Sequence, residues 1–382
     1  MSPPFDPRDH LPDDLLERIR SRADQVDRDN AFPDEDLAEL RDAGYLRILV
    51  NGSAGGAGLS LEQASVLQQR LATAAPATAL AINMHLVWTA AAKILRERGD
   101  HSLRFVEEEA ASGEVFAFGI SEPGNELMLF ASGTDAVRLP GGGYAFTGTK
   151  IFMSLAPIWT RLGVHGLDAA GGDPELVFAF LERSDDVVTH DDWDTLGMRG
   201  TQSRTTELRG AEAAADRIVR RVAPGPGSDL LQYAIFAAFS LLVASVYTGV
   251  AQRALELAAE AARSRASKRT GLAKSEDPVV RDRVGEAAIA HDALVLELSA
   301  LMRGLDEHAA WGSRAFALFS GMKVRAVTTA ARIVDAALLV AGGASFRNGN
   351  ELARLSRDVR AGGFHPSSTD AARQTAAAVW LD

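Results

Sequence analysis

The strongest constraint on the fold is a change of hydrophobic period that occurs twice along the 382 residues. In residues 1–115 apolar side chains recur at helical spacing, as Leu15 and Ile19 do. Residues 116–222 instead carry short alternating or wholly apolar runs separated by glycine-rich turns, a pattern typical of strands. Residues 223–382 return to helical spacing over long stretches. The order predicts an α+β protein with an N-terminal helical domain, a middle β domain and a C-terminal helical domain.

The helical regions contain several separate segments. A glycine-rich connection at residues 51–58 leads to a cap at Ser60, after which two apolar helices are predicted at 61–80 and 81–95. Beyond residue 223, helical patterns cover four stretches: 230–266, 278–310, 313–340 and from 367 onward. Long helices joined by short links predict a four-helix bundle.

The strand patterns lie between these helical regions. Residues 113–120, 135–139, 144–148 and 176–181 have strand-like hydrophobicity, and clusters of glycine and proline lie between them. We expect them to form short antiparallel strands of one β domain.

Composition excludes several functions. The net charge is −11, from 40 basic and 51 acidic residues, which argues against binding nucleic acid or anionic lipid. The absence of cysteine excludes disulfides, thiolate metal sites, iron–sulfur clusters and cysteine nucleophiles. We find no membrane-spanning run and no secretory signal, and we expect a cytoplasmic protein.

Common catalytic motifs are also absent. The eight histidines are scattered without metal-ligand spacing, so no metal is expected. The chain has no Gly-x-Ser-x-Gly elbow, and no Gly-x-Gly-x-x-Gly follows a strand. These residues alone leave the function open.

Four segments in order carry a resemblance to a known family. They are FGISEPG at 118–124, GTKIFMS at 148–154, WDTLGMRGT at 193–201, and AGGASF at 341–346 with Arg-Asp at 357–358. Over essentially its full length the chain resembles the acyl-CoA dehydrogenase superfamily of flavoproteins. The resemblance implies the three-domain fold and a bound flavin, FAD or FMN.

The resemblance also implies which residues contact the flavin ring. Phe118, Ile120 and Ser121 match the strand end that holds the flavin pyrimidine. Phe152 takes the aromatic position, and Ser154 takes the hydroxyl position near flavin N5. A flavin ring needs a flat apolar face and hydrogen bonds at its edge, which these residue types supply. The alternatives are that Phe152 is a core residue and that Ser121 caps a turn.

A second group is implied to bind the rest of the cofactor. Gly342 and Gly343 match a loop whose backbone N–H groups approach a pyrophosphate, although a helix C-cap followed by a turn has the same sequence. Arg265 matches an arginine that reaches the pyrophosphate of a neighbouring subunit, although a solvated arginine of a basic run is the alternative. If both serve the cofactor, the protein is a homotetramer or at least a homodimer.

The chain departs from the dehydrogenase pattern at the catalytic base. That family uses a glutamate to remove the substrate α-proton. Pro366 stands about where one such glutamate is expected, and residues 235–240, the other location, have the sequence IFAAFS without a carboxylate. The segment after Glu-Pro, at 125–128, is also altered, to NELM.

These departures resemble the flavin-dependent two-component monooxygenases of the same fold, which receive reduced flavin and activate O₂. There a histidine follows Arg-Asp, as His365 does, a Phe-x-Ser occurs, as at Phe152 and Ser154, and another histidine lies on an N-terminal helix, as His85 does. An imidazole and a hydroxyl can hold an oxygenated flavin by hydrogen bonds. The alternatives are that His365 merely ends a helix before Pro366 and that His85 is a satisfied core residue.

We therefore predict a flavin-dependent oxidoreductase whose catalytic residues are His365, Ser154 and His85. The expected reaction is monooxygenation of a small organic substrate by reduced flavin and O₂, with a flavin reductase as a possible partner. One alternative is an acyl-CoA or acyl-carrier dehydrogenase with a relocated base, for which Glu126 is the nearest candidate. A second alternative is an inactive binding subunit.

Overall fold

The structure, a computed structural model, describes residues 5–266 and 271–382. Within these ranges it contains ten α-helices and eight β-strands. The helices are α1 (Asp13–Asp29), α2 (Asp34–Asp42), α3 (Leu61–Ala72), α4 (Pro76–Glu97), α5 (Arg104–Ala111), α6 (Leu230–Ser264), α7 (Pro278–Asp306), α8 (Ala315–Ala341), α9 (Glu351–Asp358) and α10 (Thr369–Leu381). The strands are β1 (Phe116–Gly119), β2 (Asp135–Arg138), β3 (Tyr144–Met153), β4 (Arg161–Asp168), β5 (Glu175–Glu182), β6 (Val187–Thr189), β7 (Arg204–Ala213) and β8 (Ile218–Val222). All eight strands lie between the two groups of helices, which confirms the predicted α+β fold.

The strands form one sheet in the order β6-β7-β3-β2-β4-β5-β8, with β1 paired to β4. Five pairings are antiparallel, as predicted. The prediction of antiparallel strands is wrong for β1, which runs parallel to β4. Strand β2 is also parallel to β4 at the one position where the two pair. The long connection through β2 and β3 brings the chain back to the same end of the sheet, which is what a parallel pairing requires.

The N-terminal helices begin where local chemistry favours them. Ser60 caps α3 as predicted, because its Oγ accepts from the backbone N–H of Gln63 and the Gln63 side chain accepts from the backbone N–H of Ser60. The predicted boundary near residue 80 is wrong, since α3 ends at Ala72 and α4 already begins at Pro76. A proline fits the first helical turn because its missing N–H has no partner there.

Helix α4 fixes the sheet against the helices. Nε1 of Trp88 donates to the carbonyl of Ala117 in β1 at 2.9 Å. The Trp88 ring lies on Gly163 of β4, where a Cβ atom would approach the ring to 2.2 Å. Any side chain at Gly163 would therefore push the helix away from β1 and β4.

Helices α4 and α6 lie at the centre of the hydrophobic core. By length and composition, these two helices among the described residues are apolar enough to cross a membrane, but 100% and 89% of their apolar windows are buried inside the protein. Helix α6 packs closely on α3 at Gly249, where a Cβ would lie 2.2 Å from the carbonyl oxygen of Gln69. Both helices are thus internal elements of the fold.

The C-terminal region forms the predicted bundle with one addition. Helices α6, α7 and α8 pack on one another and α10 packs on α8. The short helix α9, capped by Asn350, was not predicted. It carries Arg357 and Asp358 to the edge of the sheet.

Candidate active site

A cavity of about 250 Å³, called the narrow cavity below, lies where the ends of β1 and β3 meet the chain after α9. Its walls include the segment before β7 and one turn of α4 and of α6. The lining residues include Met84, Phe118, Ser121, Phe152, Ser154, Trp193, Met198, Thr201, Ser203, Phe239, Arg357, Arg360 and His365.

A buried ion pair holds the two strand ends that form one wall. Nζ of Lys150 in β3 lies 2.5 Å from a carboxylate oxygen of Glu122, which follows β1. The carboxylate also accepts from the backbone N–H of Gly133 at 2.7 Å and from the hydroxyls of Ser132 and Thr134. Burial would raise the pKa of Glu122, but Lys150 and these hydrogen bonds lower it to about 2. The pair is thus ionised at neutral pH and fixes Ser121 relative to the end of β3.

Phe152 presents an aromatic face to the narrow cavity. Its backbone is left-handed, with φ of 56°, at an irregularity in the pairing of β3 with β7. This conformation is unfavourable for a bulky residue. It turns the ring outward, so that 54% of the residue is exposed, edge-on to Trp193 with ring centroids 6.3 Å apart. The two rings lie nearly at a right angle and form an aromatic corner of the narrow cavity, called the aromatic slot below.

Three hydroxyls form a chain that ends in the narrow cavity. Ser154 Oγ lies 2.7 Å from Ser203 Oγ, which lies 2.7 Å from Thr201 Oγ1. Thr201 donates to the carbonyl of Met198 at 2.9 Å. Because each hydroxyl has one proton, Ser203 then donates to Thr201 and Ser154 donates to Ser203. Ser154 therefore presents its lone pairs to the cavity in this arrangement.

A tyrosine sets the protonation of His365. The Tyr247 hydroxyl, in the buried middle of α6, lies 2.8 Å from Nε2 of His365. Burial raises the pKa of Tyr247 well above 10, so the hydroxyl keeps its proton, and Nε2 of His365 is its only acceptor among the described residues. Burial and the charge of Lys323, whose Nζ donates to the His365 carbonyl at 2.7 Å, lower the pKa of His365 to about 3. His365 is thus neutral with its proton on Nδ1, which has no partner among the described residues.

The end of α9 contacts the segment before β7 beside this cavity. The Asp358 carboxylate accepts from the backbone N–H of Met198 at 2.6 Å, and burial raises the pKa of this group to about 6. Gly197 lies so close to Arg357 that a Cβ atom would approach its carbonyl carbon to 2.3 Å. Arg357 donates to Asp27 at 2.9 Å, which ties α9 to α1. The segment that carries His365 is therefore held against the segment before β7, which carries Thr201 and Ser203.

A second and larger cavity adjoins the first. This wide cavity, of about 650 Å³, extends between the end of β1, α6, α8 and α10. The two cavities share Phe118, Phe239 and Pro366 as lining residues. Phe118 and Phe239 are stacked with ring centroids 5.4 Å apart and form the partition.

The structure brings most of the predicted ring contacts together. Phe118, Ser121, Phe152, Ser154 and His365 all line the narrow cavity. Ile120 lines the wide cavity instead, on the other side of the partition.

His85 lies away from both cavities. It is fully buried, its Nδ1 accepts from the backbone N–H of Phe116 at 3.1 Å, and its Nε2 contacts the carbonyl of Leu46 at 2.7 Å. Burial lowers its pKa to about 4, so the ring is neutral and both nitrogens are occupied by the backbone. Its position matches the core alternative, in which it ties α4 to β1.

Arg265, Gly342 and Gly343 lie together, away from both cavities of the same protomer. Gly342 ends α8 with φ of 74°, and Arg265 donates to the carbonyl of Ala341. Within one protomer this is the geometry of a helix C-cap. Lys268 and Arg269 of the same basic run lie outside the described residues.

The narrow cavity fits a flavin ring. It offers an exposed aromatic slot, hydroxyl oxygens at Ser121 and Ser154, and one imidazole N–H, which together meet the needs of a flat heteroaromatic ring. Arg357 and Arg360 supply positive charge on the same wall. Among the described residues no group of three or more histidine or acidic side chains could hold a metal ion.

Family comparison agrees with this geometry. Residues 8–104 match the acyl-CoA dehydrogenase N-terminal domain, and residues 241–369 match the acyl-CoA dehydrogenase C-terminal domain. The chain belongs to the acyl-CoA dehydrogenase family.

Individual relatives place this acyl-CoA dehydrogenase family member near flavin monooxygenases. Amino sugar nitrososynthase RubN8 of Streptomyces rubradiris is 32% identical over 368 residues, which cover 93% of this chain and 84% of the relative. Isobutylamine N-hydroxylase of Streptomyces viridifaciens is 26% identical over an alignment that covers 86% of this chain and 84% of the relative. The structure of KijD3 in complex with FMN and a dTDP-linked amino sugar superposes with a TM-score of 0.85 at 26% sequence identity. The match covers 100% of this chain and 95% of the KijD3 chain. The predicted resemblance to the flavin-dependent monooxygenase branch is confirmed.

Sequence reasoning missed three residues of the site. Tyr247 has a visible signal, since it is one of two tyrosines in the long and mainly apolar helix α6. Thr201 and Ser203 lie at the end of a quoted motif, but only the fold shows that their hydroxyls reach Ser154.

Proposed function

We propose that this protein is an FMN-dependent monooxygenase in which His365 and Ser154 contact the flavin ring. The supporting observation is the narrow cavity, where a neutral imidazole N–H and an oriented hydroxyl face an exposed aromatic slot. The net reaction is substrate + O₂ + FMNH₂ → oxygenated substrate + H₂O + FMN. Bound flavin supplies two electrons and the position at which O₂ reacts.

The side chains of this site bind, orient and exclude water. Phe152 and Trp193 provide the apolar faces for the ring. Ser154, with its lone pairs directed inward, would accept a hydrogen bond from an N–H at the edge of the bound ring. Nδ1–H of His365 would donate a hydrogen bond to a group bound beside the ring, and Tyr247 keeps that proton on Nδ1.

FMN is proposed in preference to FAD because the structure of the relative KijD3 contains FMN. Arg265 and the Gly342–Gly343 loop, which the resemblance connects with a pyrophosphate, are engaged in capping α8 within one protomer. If they also reach the flavin phosphate of a neighbouring protomer, the enzyme is a homodimer or homotetramer. The proposal places it in the cytoplasm with a separate reductase as the source of reduced flavin.

The dehydrogenase alternative has one observation in its favour. Glu126 lines the wide cavity, so a carboxylate does border the space that adjoins the narrow cavity. It is exposed at the rim, however, and the charged side chains of the narrow cavity are Arg357 and Arg360. A base that removes a substrate α-proton beside the flavin is therefore not provided by Glu126 in this arrangement.

Flavin binding and oxygen chemistry test the proposal. The purified protein is expected to quench the fluorescence of added FMN and to bind reduced FMN more tightly than oxidised FMN. His365→Ala is expected to keep FMN binding but to release more H₂O₂ when the reduced complex meets O₂. The proposal fails if neither FMN nor FAD binds, or if acyl-CoA thioesters bleach the bound flavin without O₂.

A further inference from the structure

The wide cavity has the size and position of a substrate site. Its volume of about 650 Å³ lies within the usual range for small-molecule sites, which is roughly 300–1,000 Å³. Phe118, Phe239 and Pro366 line both this cavity and the narrow cavity, so the two spaces adjoin at these residues. A molecule bound there would lie next to the flavin ring of the proposed function.

The wall is dominated by aromatic rings. Phe236 and Phe316 meet edge to face with centroids 4.8 Å apart, and Phe130 meets Phe316 at 5.9 Å. Ile235 from α6 and Val379 from α10 complete an apolar enclosure. Such a wall favours a flat or branched hydrocarbon skeleton, since binding there removes apolar surface from water.

The charged groups on this wall are all acidic. Glu126 and Asp382 are exposed at the rim, and no lysine or arginine is among the described residues that line the cavity. A nucleoside diphosphate would bring its negative charges to a wall without a cation and beside two carboxylates. A protonated amine would meet the opposite charge at the rim and an apolar surface inside.

We propose that the wide cavity binds an apolar primary amine, aromatic or branched aliphatic, and not a nucleotide-linked sugar. The inference rests on the proposed monooxygenase function. The reaction is R–NH₂ + O₂ + FMNH₂ → R–NHOH + FMN + H₂O. The amine nitrogen and the flavin each lose two electrons, O₂ gains four, and one oxygen atom forms the new N–O bond. The ammonium form releases its proton to solvent before the N–O bond forms.

Calorimetric titration of the flavin-free protein tests the substrate class without relying on turnover. The probes are benzylamine, its neutral analogue benzyl alcohol, its anionic analogue benzoate, and dTDP. We expect benzylamine to bind at least tenfold more tightly than benzoate and at least threefold more tightly than benzyl alcohol, with no binding of dTDP. Equal binding of benzyl alcohol and benzylamine overturns the preference for an amine, and binding of dTDP tighter than benzylamine overturns the proposal as a whole.

Variants locate the binding to the wide cavity. Phe316→Ala is expected to weaken benzylamine at least fivefold, and Glu126→Gln is expected to weaken benzylamine while leaving benzyl alcohol unchanged. Leu296→Ala, at a residue of α7 that is 71% exposed and lines neither cavity, is the control. If Phe316→Ala proves unfolded by its thermal transition, Phe316→Leu replaces it. Unchanged benzylamine affinity in a folded Phe316 variant overturns the assignment.

FMN titration separates this inference from the proposed function. A protein that binds FMN and reduces O₂ to H₂O₂ but does not bind benzylamine keeps the monooxygenase proposal and contradicts the amine. A protein that binds neither FMN nor FAD contradicts the monooxygenase proposal, whatever the amine titration shows.

Discussion

The hydroxyl of Tyr247 lies 2.8 Å from Nε2 of His365 and decides which ring nitrogen carries the proton. The tyrosine is fully buried, and its hydroxyl has no other partner among the described residues, so it donates to the imidazole. Nδ1–H of His365 is then free to face the narrow cavity. A residue of α6 thus controls the hydrogen-bond donor presented by a loop that follows α9.

Tyr247→Phe should change the His365 tautomer. Without the hydroxyl, Nε2 loses its donor, and the more common tautomer with the proton on Nε2 becomes accessible. We expect ¹⁵N NMR of the histidine ring to show the Nδ1–H form in the wild type and a mixture in the variant. Release of H₂O₂ by the reduced FMN complex should rise several-fold. Tyr45→Phe is the matched control, since it removes a buried hydroxyl that bonds Gln68 at 2.8 Å, and neither residue lines a cavity. An equal rise there would contradict the assigned role.

Ser203→Ala should weaken flavin binding without unfolding the protein. The change breaks the hydroxyl chain, so Ser154 is no longer oriented with its lone pairs toward the cavity. We expect the preference for reduced over oxidised FMN to fall, observed as a lower midpoint potential of the bound flavin. Ser65→Ala removes a comparable buried hydroxyl pair with Ser245 at 2.8 Å and should leave the potential unchanged. A potential that is the same in Ser203→Ala and wild type would exclude the role of the chain.

Lys150→Met should destabilise the fold and loosen the narrow cavity. It leaves the Glu122 carboxylate buried without its cation, which costs about 3 to 5 kcal/mol in comparable sites. Urea unfolding is the measurement. The double variant Lys150→Met with Glu122→Gln should recover part of the loss because the uncompensated charge is gone. No recovery would show that the hydrogen bonds to Ser132, Gly133 and Thr134 carry the stability instead.

Stability should fall steeply below pH 6.5. Burial lowers the pKa values of His85 and His165 to about 4 and that of His365 to about 3. The unfolded chain takes up these protons below pH 6.5 while the folded chain does not, so the free energy of unfolding decreases as the pH drops toward 4. Asp358, with a pKa raised to about 6, takes up a proton in the folded state and offsets one histidine. The expected slope is about 3 kcal/mol per pH unit at its steepest, from two net protons at 1.36 kcal/mol each.

Thermal or urea unfolding between pH 4.5 and 7.5 measures this dependence. His365→Asn should reduce the slope by about 1.4 kcal/mol per pH unit. The exposed His101→Asn serves as the control. Equal slopes for the wild type and His365→Asn would contradict a neutral buried His365.

The sequence by itself determined the order of elements and part of the site. Hydrophobic period is local, so helical and strand spacing located the sheet between two helical regions, and Ser60 marked the start of a helix. Phe118, Ser121, Phe152, Ser154 and His365 were assigned to one site by resemblance, and all five line the narrow cavity. The parallel pairing of β1, the boundary at Pro76 and the extra helix α9 were not predicted, because each depends on how distant segments pack.

Only the tertiary structure decided which polar atoms meet. His85 and His365 are both plausible catalytic histidines in the sequence, yet the fold surrounds the first with backbone partners and leaves one nitrogen of the second free. Tyr247 and His365 are 118 residues apart, and Ser154 and Ser203 are 49 apart, so their contacts arise from helix and strand packing. Hydrogen bonds act over about 3 Å, whereas sequence patterns report which face of an element is buried. The chemistry of the site therefore follows from distances that the order of residues does not contain.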